Sequence, residues 1–468
     1  MRLDDIIEVG LGAAVYIKAD SSMTLGALGA AITHSPDSLF TLIDKLGLTC
    51  SVEAYEGFIS LRLKAKDLNK LKKFVRRIFK GRAHRVVGDF QSRGFYLVCT
   101  RFDAIHMWQH TNVPNLVFGV GLERSLRRVN LRSYSSEEMI DEVLLQLEIN
   151  DPRIKSLCLE SIALYMKLVD AGVPLQDARF VLPELTPTVI LFSMPPRYIA
   201  KLWHCLREDL PTQRRIKEGI EKILNEEFVG KEVDKPPYRG RIWKKEKRNR
   251  VDRSLIRFKF KGSLSMFAQL VRERLLYVDL WSWEKVVMEG KFVIPSTFPE
   301  WAKKEYLELA KKWWKLQVEY LNKGDPRFVY LTLLGQYAEA EVYGTLRAWI
   351  VSLQERLCSA AQWEIRRQFI KVAKKLLSHL HLRRRRKVIE LLEESGGLLR
   401  CHREGKCTEP HIECLIRNLG LYKSRNYGKI LKVLEEATPK PEYVKIVKME
   451  LPSLPPSYYF FLLNPPLW

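Results

Sequence analysis

Two arginine pairs define the chemistry this sequence can attempt. Arg179 and Arg207 stand 28 residues apart, and Arg327 and Arg356 stand 29 apart. Their surroundings match. Asp177-Ala178-Arg179-Phe180-Val181-Leu182-Pro183 recurs as Asp325-Pro326-Arg327-Phe328-Val329-Tyr330-Leu331, and Arg207 with Gln213 and Ile216 recurs as Arg356 with Gln362 and Ile365. A guanidinium presents a planar fork of donors that grips phosphate or carbonyl oxygens bidentately, and Ser and Gln orient a ring through neutral hydrogen bonds. Arginines interleaved with Ser and Gln therefore suit an anionic pyrimidine nucleotide. Two matched anchors at matched spacing point to an internal duplication.

The residues around these anchors resemble the FAD-dependent thymidylate synthase family. Members carry Ala-Arg-x-Val-Leu-Pro, then a helical arginine leading into Ala-Gln-Trp-Glu-Ile-Arg. The first half has Ala178-Arg179-Phe180-Val181-Leu182-Pro183, and the second has Arg356 leading into Ala361-Gln362-Trp363-Glu364-Ile365-Arg366. Each half keeps one segment and departs in the other, with Gln213-Arg214-Arg215-Ile216 and Arg327-Phe328-Val329-Tyr330-Leu331 in the altered places. The family signature Arg-His-Arg-x-x-Ser-x-Asn-Glu-x-Ser-x-Arg-Tyr is split in the same way. Its front is Arg272-Glu273-Arg274, with Gln269 three residues ahead and Ser282 at the second serine; Glu284-Lys285 replace the final Arg-Tyr. Its rear is Glu123-Arg124-Ser125-Leu126-Arg127, with Gln109 upstream.

The resemblance implies an enzyme that methylates deoxyuridylate (dUMP) to thymidylate. Bound FAD would carry the hydride, methylene-tetrahydrofolate the carbon and NADPH the reducing equivalents, while the protein positions ligands and stabilises charge. Carried over, Gln109, Glu123, Ser125, Arg127, Arg179, Gln269, Ser282 and Arg327 bind the nucleotide. Arg272, Arg274 and Arg347 hold the flavin, and Arg207 and Arg356 are the catalytic arginines. Glu273 replaces the signature histidine, so an adjacent arginine must neutralise it beside flavin phosphates. His84 is the one candidate for the family's upstream flavin histidine. Family enzymes are symmetric oligomers with shared sites, which implies pseudo-symmetric association of the two halves here and a homo-oligomer beyond it. The alternative is a catalytically degenerate descendant that binds nucleotide or nucleic acid, or scaffolds a true synthase.

Positioning such groups requires an α+β fold of two tandem units, each with antiparallel strands packed by helices. Phe95-Tyr96-Leu97-Val98-Cys99 and Ile256-Arg257-Phe258-Lys259-Phe260 read as strands, each followed by a helix carrying Gln109 or Gln269. Ile365, Phe369, Val372, Leu376 and Leu377 share one face of a closing helix. The expected boundaries are 1–230 for the first unit, with its core at about 80–225, 231–253 for a basic linker, 254–380 for the second unit and 381–468 for a helical segment. The order of three helices and the alternating Val444-Lys445-Ile446-Val447-Lys448-Met449 makes that last segment compatible with a winged helix.

The chain has 468 residues and a formal net charge of +23 from 78 Lys+Arg and 55 Asp+Glu, which favours anionic partners. Nucleotides, folates, nucleic acid or a charge-rich thermophile surface would each account for it, and nucleic acid is not favoured. No stretch is long and apolar enough for a membrane span, and the start lacks a secretory pattern, so a cytoplasmic protein is expected. Eight cysteines are too dilute to staple the chain. Cys401-His402, Cys407, His411 and Cys414 have zinc-ligand types, but the spacing fits none of the usual fingers and no metal is expected. His106, His110 and His204 read as packed or capping residues. Tyr458-Tyr459-Phe460-Phe461-Leu462-Leu463 reads as a docking tail.

Overall fold

The computed structural model describes residues 14–55, 58–76, 93–113, 116–117, 120–126, 129, 131, 136–194, 202–203, 205–227, 255–273, 275–378, 382–407 and 414–446. The linker at 231–253, the tail at 458–463, Arg127, Arg274, His84, His204 and His411 lie outside them. The class is α+β, as expected.

The first half opens with β1 (Ala14–Ala19), α1 (Ser22–His34), α2 (Leu39–Lys45), β2 (Leu48–Tyr55), β3 (Phe58–Ala65) and α3 (Leu68–Arg76). Then come β4 (Arg93–Thr100), α4 (Arg101–Thr111), β5 (Val120–Glu123), α5 (Glu137–Gln146), α6 (Pro152–Asp170), β6 (Pro187–Met194) and α7 (Pro211–Glu227). Its six strands run in the order β2-β3-β1-β4-β6-β5, antiparallel except where β1 meets β3. Phe95 to Cys99 are all buried, which is why this strand reads as an unbroken apolar run rather than an alternation. The strands before β4 extend the sheet beyond the expected core.

The second half contains β7 (Leu255–Ser263), α8 (Leu264–Leu270), β8 (Tyr277–Leu280), α9 (Trp283–Glu289), β9 (Lys291–Ile294), α10 (Glu300–Asn322), β10 (Tyr337–Thr345), α11 (Leu346–Arg356) and α12 (Trp363–Ser378). Its sheet has the order β8-β10-β7, wholly antiparallel, as β5-β6-β4 is in the first half. The local hydrogen bonds repeat too. Arg101 and Phe102 N–H groups bond Thr186 and Glu184 carbonyls, as Leu264 and Ser265 bond Gln336 and Leu334. Arg124 N–H bonds Val189 O, as Trp281 N–H bonds Glu339 O. Helices α6 and α10 both end on a left-handed glycine, Gly172 and Gly324, that lets the chain turn back without a Cβ clash.

These registers correct one expectation from spacing. The position matching Gln269 in the first half is His106, and Gln109 falls level with Arg272, because both helices start at the strand end and must be counted from there. Gln109 and Gln269 are not equivalent.

The halves meet along α6 and α10, which run antiparallel: Arg153 reaches Glu319, Glu160 reaches Lys312 and Lys167 reaches Glu305. These exposed ion pairs contribute little. Buried Leu157, Tyr165 and Leu168 against Tyr306, Leu309 and Trp313 carry the association, and the Trp313 indole donates to Ser161 Oγ at 2.9 Å. Beside them the two Arg-Phe-Val segments exchange backbone bonds. Leu334 N–H bonds Leu182 O at 2.8 Å and Leu185 N–H bonds Tyr330 O at 2.8 Å.

The C-terminal elements are α13 (Leu382–Glu394), α14 (Arg400–Glu404), α15 (Leu415–Asn418), α16 (Tyr427–Glu436) and β11 (Glu442–Lys445). Helices α13 and α16 pack on α12. Strand β11 pairs antiparallel with β9 of the second half, Lys291 opposite Lys445. Among the described residues the segment therefore forms no two-stranded wing of its own. Among the described residues, no helix is long and apolar enough to cross a membrane.

Gly335 shows how close the halves come. Its N–H bonds Phe180 O at 2.9 Å, and a Cβ there would lie 2.0 Å from the Tyr306 hydroxyl and 2.9 Å from Phe180 O. Gly335→Ala should therefore destabilise the protein by about 1–3 kcal/mol. A thermal melt of this variant that matches the parent chain would refute a backbone seam this tight.

Candidate functional site

A buried polar chain crosses the seam. Arg179, on the turn after α6, points its Nη2 at Gln362 Oε1, 3.2 Å away, and Gln269 of α8 donates to the same oxygen. Gln362 Nε2 donates to Glu364 at 2.9 Å, and Glu364 accepts the Ser263 N–H at 2.9 Å and hydroxyl at 2.6 Å. Trp363, between them, turns the other way and donates its indole N–H to Asp177 of the first half at 2.8 Å. The Gln-Trp-Glu run thus places alternate residues on either side of the seam. Its conformation is fixed by partners from both halves.

A second polar chain adjoins the first. Glu123, at the end of β5, accepts Arg101 of its own half and Arg272 of the other, the latter at 2.5 Å. Trp108 and Thr188 complete its shell at 3.2 and 3.4 Å. Arg356 bonds Glu273 at 2.8 Å, so the acid that replaces the signature histidine is neutralised by an arginine. Arg101 interacts electrostatically with Arg272 and Arg179, and Arg272 with Arg356. Four guanidinium groups share one field.

That field is costly in this interior. Burial, followed by the charge of Arg272, pulls Arg179 down to about 10; burial, followed by Arg356, pulls Arg272 down to about 10. Burial raises Glu184 to about 8 against the pull of Arg101 and Arg179, and Glu364 to about 7 against its bonds from Ser263. Among the described residues, neither Glu184 oxygen has a hydrogen-bond partner, nor do the Nε atoms of Arg101 and Arg272. Arg101 and Arg272 pair with Glu123 and Arg356 with Glu273, while Asp177 and Glu364 act electrostatically on Arg179. The clustered guanidinium groups and the orphaned donors suit an incoming oxyanion.

The corresponding place on the other side of the seam is built differently. Asp103 is buried and accepts Thr100 Oγ1 at 2.7 Å, Thr212 Oγ1 at 2.8 Å and Gln213 Nε2 at 3.1 Å. Burial raises its pKa, opposed by those bonds. The Tyr330 hydroxyl fills the centre, 2.6 Å from Thr212 Oγ1. Arg207 folds onto Asp209 at 2.6 Å and Arg327 onto Asp325 at 2.6 Å. His106 Nε2 meets Cys205 O at 2.9 Å, so that nitrogen carries the proton, and burial pulls the ring down to about 4. This side is filled by its own side chains.

Of the residues expected from sequence, the structure brings together Glu123, Arg179, Gln269, Arg272 and Arg356. It does not bring in Arg207 or Arg327, each held by a nearby acid, nor Arg347, which lies opposite Arg356 on α11 and faces Glu394 at 3.8 Å. Ser125 and Ser282 hold the same register, their carbonyls accepting Val129 and Val286 N–H, and Ser282 caps α9 at Lys285 N–H. Ser282 thus serves as a helix cap. Sequence reasoning omitted Arg101, Glu184, Gln362 and Glu364 from the site. A charged residue immediately after the six buried strand residues Phe95 to Thr100 was the available signal for Arg101.

Residues 234–380 match the family model of the thymidylate synthase complementing protein, a family of FAD-dependent thymidylate synthases. The match covers Gln269, Arg272, Arg356 and Gln362, and it stops short of the first half. No curated protein and no solved structure matches the chain.

Two outcomes test this electrostatic reading. Glu123→Gln strands Arg101 and Arg272, which should cost about 3–5 kcal/mol. Phosphate should restore more of the lost melting temperature in that variant than it adds to the parent; equal phosphate effects would contradict an anion-seeking cluster. His106 is held neutral, so its contribution to stability is present above its unfolded pKa of about 6.5 and is lost as pH falls toward its folded value. Between pH 7 and pH 4.5, urea melts should show the parent losing on the order of 2 kcal/mol more than His106→Gln, which keeps a donor for Cys205 O.

Proposed function

We propose that the chain is two tandem, diverged copies of one thymidylate-synthase-type unit, and that their seam holds one composite nucleotide site rather than two. The copies are 1–230 and 254–380, joined by the basic linker 231–253 and followed by the helical segment 381–468. The observation that carries this reading is the Arg179–Gln362–Gln269 chain, where family-motif residues 183 positions apart in sequence share one oxygen. Its substrate is dUMP, methylated to thymidylate with methylene-tetrahydrofolate and NADPH. Arg179 and Arg272 take the phosphate, which competes with Glu123 for Arg272. Gln269 and Gln362 orient the pyrimidine, and Arg356 stabilises charge developing on it.

FAD, when bound, supplies the hydride. Arg272 is the described flavin candidate that lies in the cluster, since Arg347 is committed toward Glu394 and Arg274 lies outside the described residues. That arrangement also supports a second reading, a descendant that binds nucleotide without turnover. In that case Glu273 permanently occupies the arginine that catalysis would use. Cytoplasmic location and a homo-oligomer accord with either reading.

Calorimetric titration with dUMP separates these readings from a purely structural seam. The parent should bind, Arg179→Ala should lose at least about tenfold in affinity, roughly 1.4 kcal/mol, and Arg327→Ala should stay near the parent value. No binding by the folded parent would sink both readings. Affinity should also fall as pH rises from 7 to 9, because Glu184 ionises through about 8 beside Arg101 and Arg179 while the nucleotide phosphate, with its second pKa at about 6, is already dianionic. Folate- and NADPH-dependent release of tritium from 5-tritiated dUMP then distinguishes the enzyme from the binder.

A further inference from the structure

Three neighbouring cysteines and a fourth from 43 residues upstream line one cavity between α11 and the C-terminal elements. Cys358 lies just past the end of α11, Cys401 in α14, Cys407 just past the left-handed Gly405, and Cys414 at the start of α15. The cavity they line holds about 240 Å³. Cys401 stands within electrostatic range of the other three. None of the eight cysteines forms a disulfide, and these four are partly buried.

We propose that Cys358, Cys401, Cys407 and Cys414 hold a [4Fe–4S] cluster. A zinc ion would draw four sulfurs to about 2.3 Å from a single centre, leaving no hollow, whereas this hollow equals several water volumes of about 30 Å³ each. The four thiols line this one hollow, and four thiolates are the usual ligands of a cubane cluster. Each thiol gives its proton to solvent as its sulfur binds an iron of the assembled cluster, so the protein undergoes no net oxidation.

The surroundings suit such a group. Four thiolates around a [4Fe–4S]²⁺ core leave a net negative charge, and Arg400, Lys406 and Arg417 stand on the cavity wall to offset it. Arg366 adds a further charge within range of Cys358 and Cys414, anchored by its bond to Ser359 O at 3.0 Å. The Ser359 hydroxyl donates to Cys414 Sγ at 3.2 Å, an outer-shell bond of the kind that tunes cluster potential. His402 is not available as a ligand, because its Nδ1 accepts Leu399 N–H and its Nε2 meets Leu421 O. Cys358 supplies the ligand that the Cys401–Cys414 spacing lacked, from 43 residues upstream. The loop from Cys358 to Gln362 separates the cluster from the arginine seam, with Arg356 and Gln362 at its two ends.

The full chain purified without oxygen, and reconstituted with iron and sulfide, should be brown and contain about four irons and four acid-labile sulfides. Cys358→Ser and Cys407→Ser should each lose most of that iron and colour, whereas Cys50→Ser, on β2, should retain it. If either cavity variant fails to fold, alkylation of the parent decides. The four cavity thiols should resist iodoacetamide until an iron chelator is added, and then react under native conditions. One zinc per chain without sulfide would overturn the proposal. So would a folded parent that takes up neither iron nor sulfide, or equal iron loss in Cys50→Ser. None of these readouts depends on nucleotide binding.

Discussion

Glu123 is the hinge of the electrostatic structure, because one carboxylate neutralises an arginine from each half at the plane where they meet. Buried guanidinium groups persist only where partners repay their desolvation. Arg101 and Arg272 have this shared partner, Arg179 has Gln362, and Arg356 has Glu273. Two of those pairings, Arg272–Glu123 and Arg179–Gln362, cross the seam, and Arg101–Glu123 and Arg356–Glu273 each lie within one half. The halves thus depend on each other to bury Arg179 and Arg272.

The same packing yields two unlike places from one repeated architecture. Strand orders and strand-end hydrogen bonds recur in both halves, so divergence lies in side chains. Where one side has Gln269, Gln362 and Glu364, the other has His106, Gln213 and Arg215, with Asp103 and Tyr330 filling the centre. The arginine-rich place attracts a phosphate, whereas the other is already filled by Asp103, Thr212 and Tyr330. A single chain carrying both halves can specialise them separately, which a symmetric pair of identical subunits cannot.

Much of this was legible in sequence, and the rest was hidden for identifiable reasons. Arginine spacing pointed to the paired strand-end geometry now seen in both halves, and the Gln-Trp-Glu-Ile run marked the segment that lines the seam. Counting glutamines instead of strand ends misplaced Gln109, which sits one turn farther along its helix than Gln269 does. Arg207 and Arg327 looked equivalent to Arg356 and Arg179, but Asp209 and Asp325 two residues away capture them in the fold. Glu184 and Arg101 carried no motif and became visible only through burial. Cys358 was out of reach for a reason of topology: no local spacing pattern joins it to Cys401, and only the packing of the C-terminal helices against the second half does.

The central claim is that the seam is one nucleotide site built from both halves. Equilibrium dialysis of the full chain against radiolabelled dUMP measures this most directly, as moles bound per mole of chain at saturation. The account predicts a single bound nucleotide, lost in Arg179→Ala and kept in Arg327→Ala. A saturation value of two, or no binding at all, would contradict it.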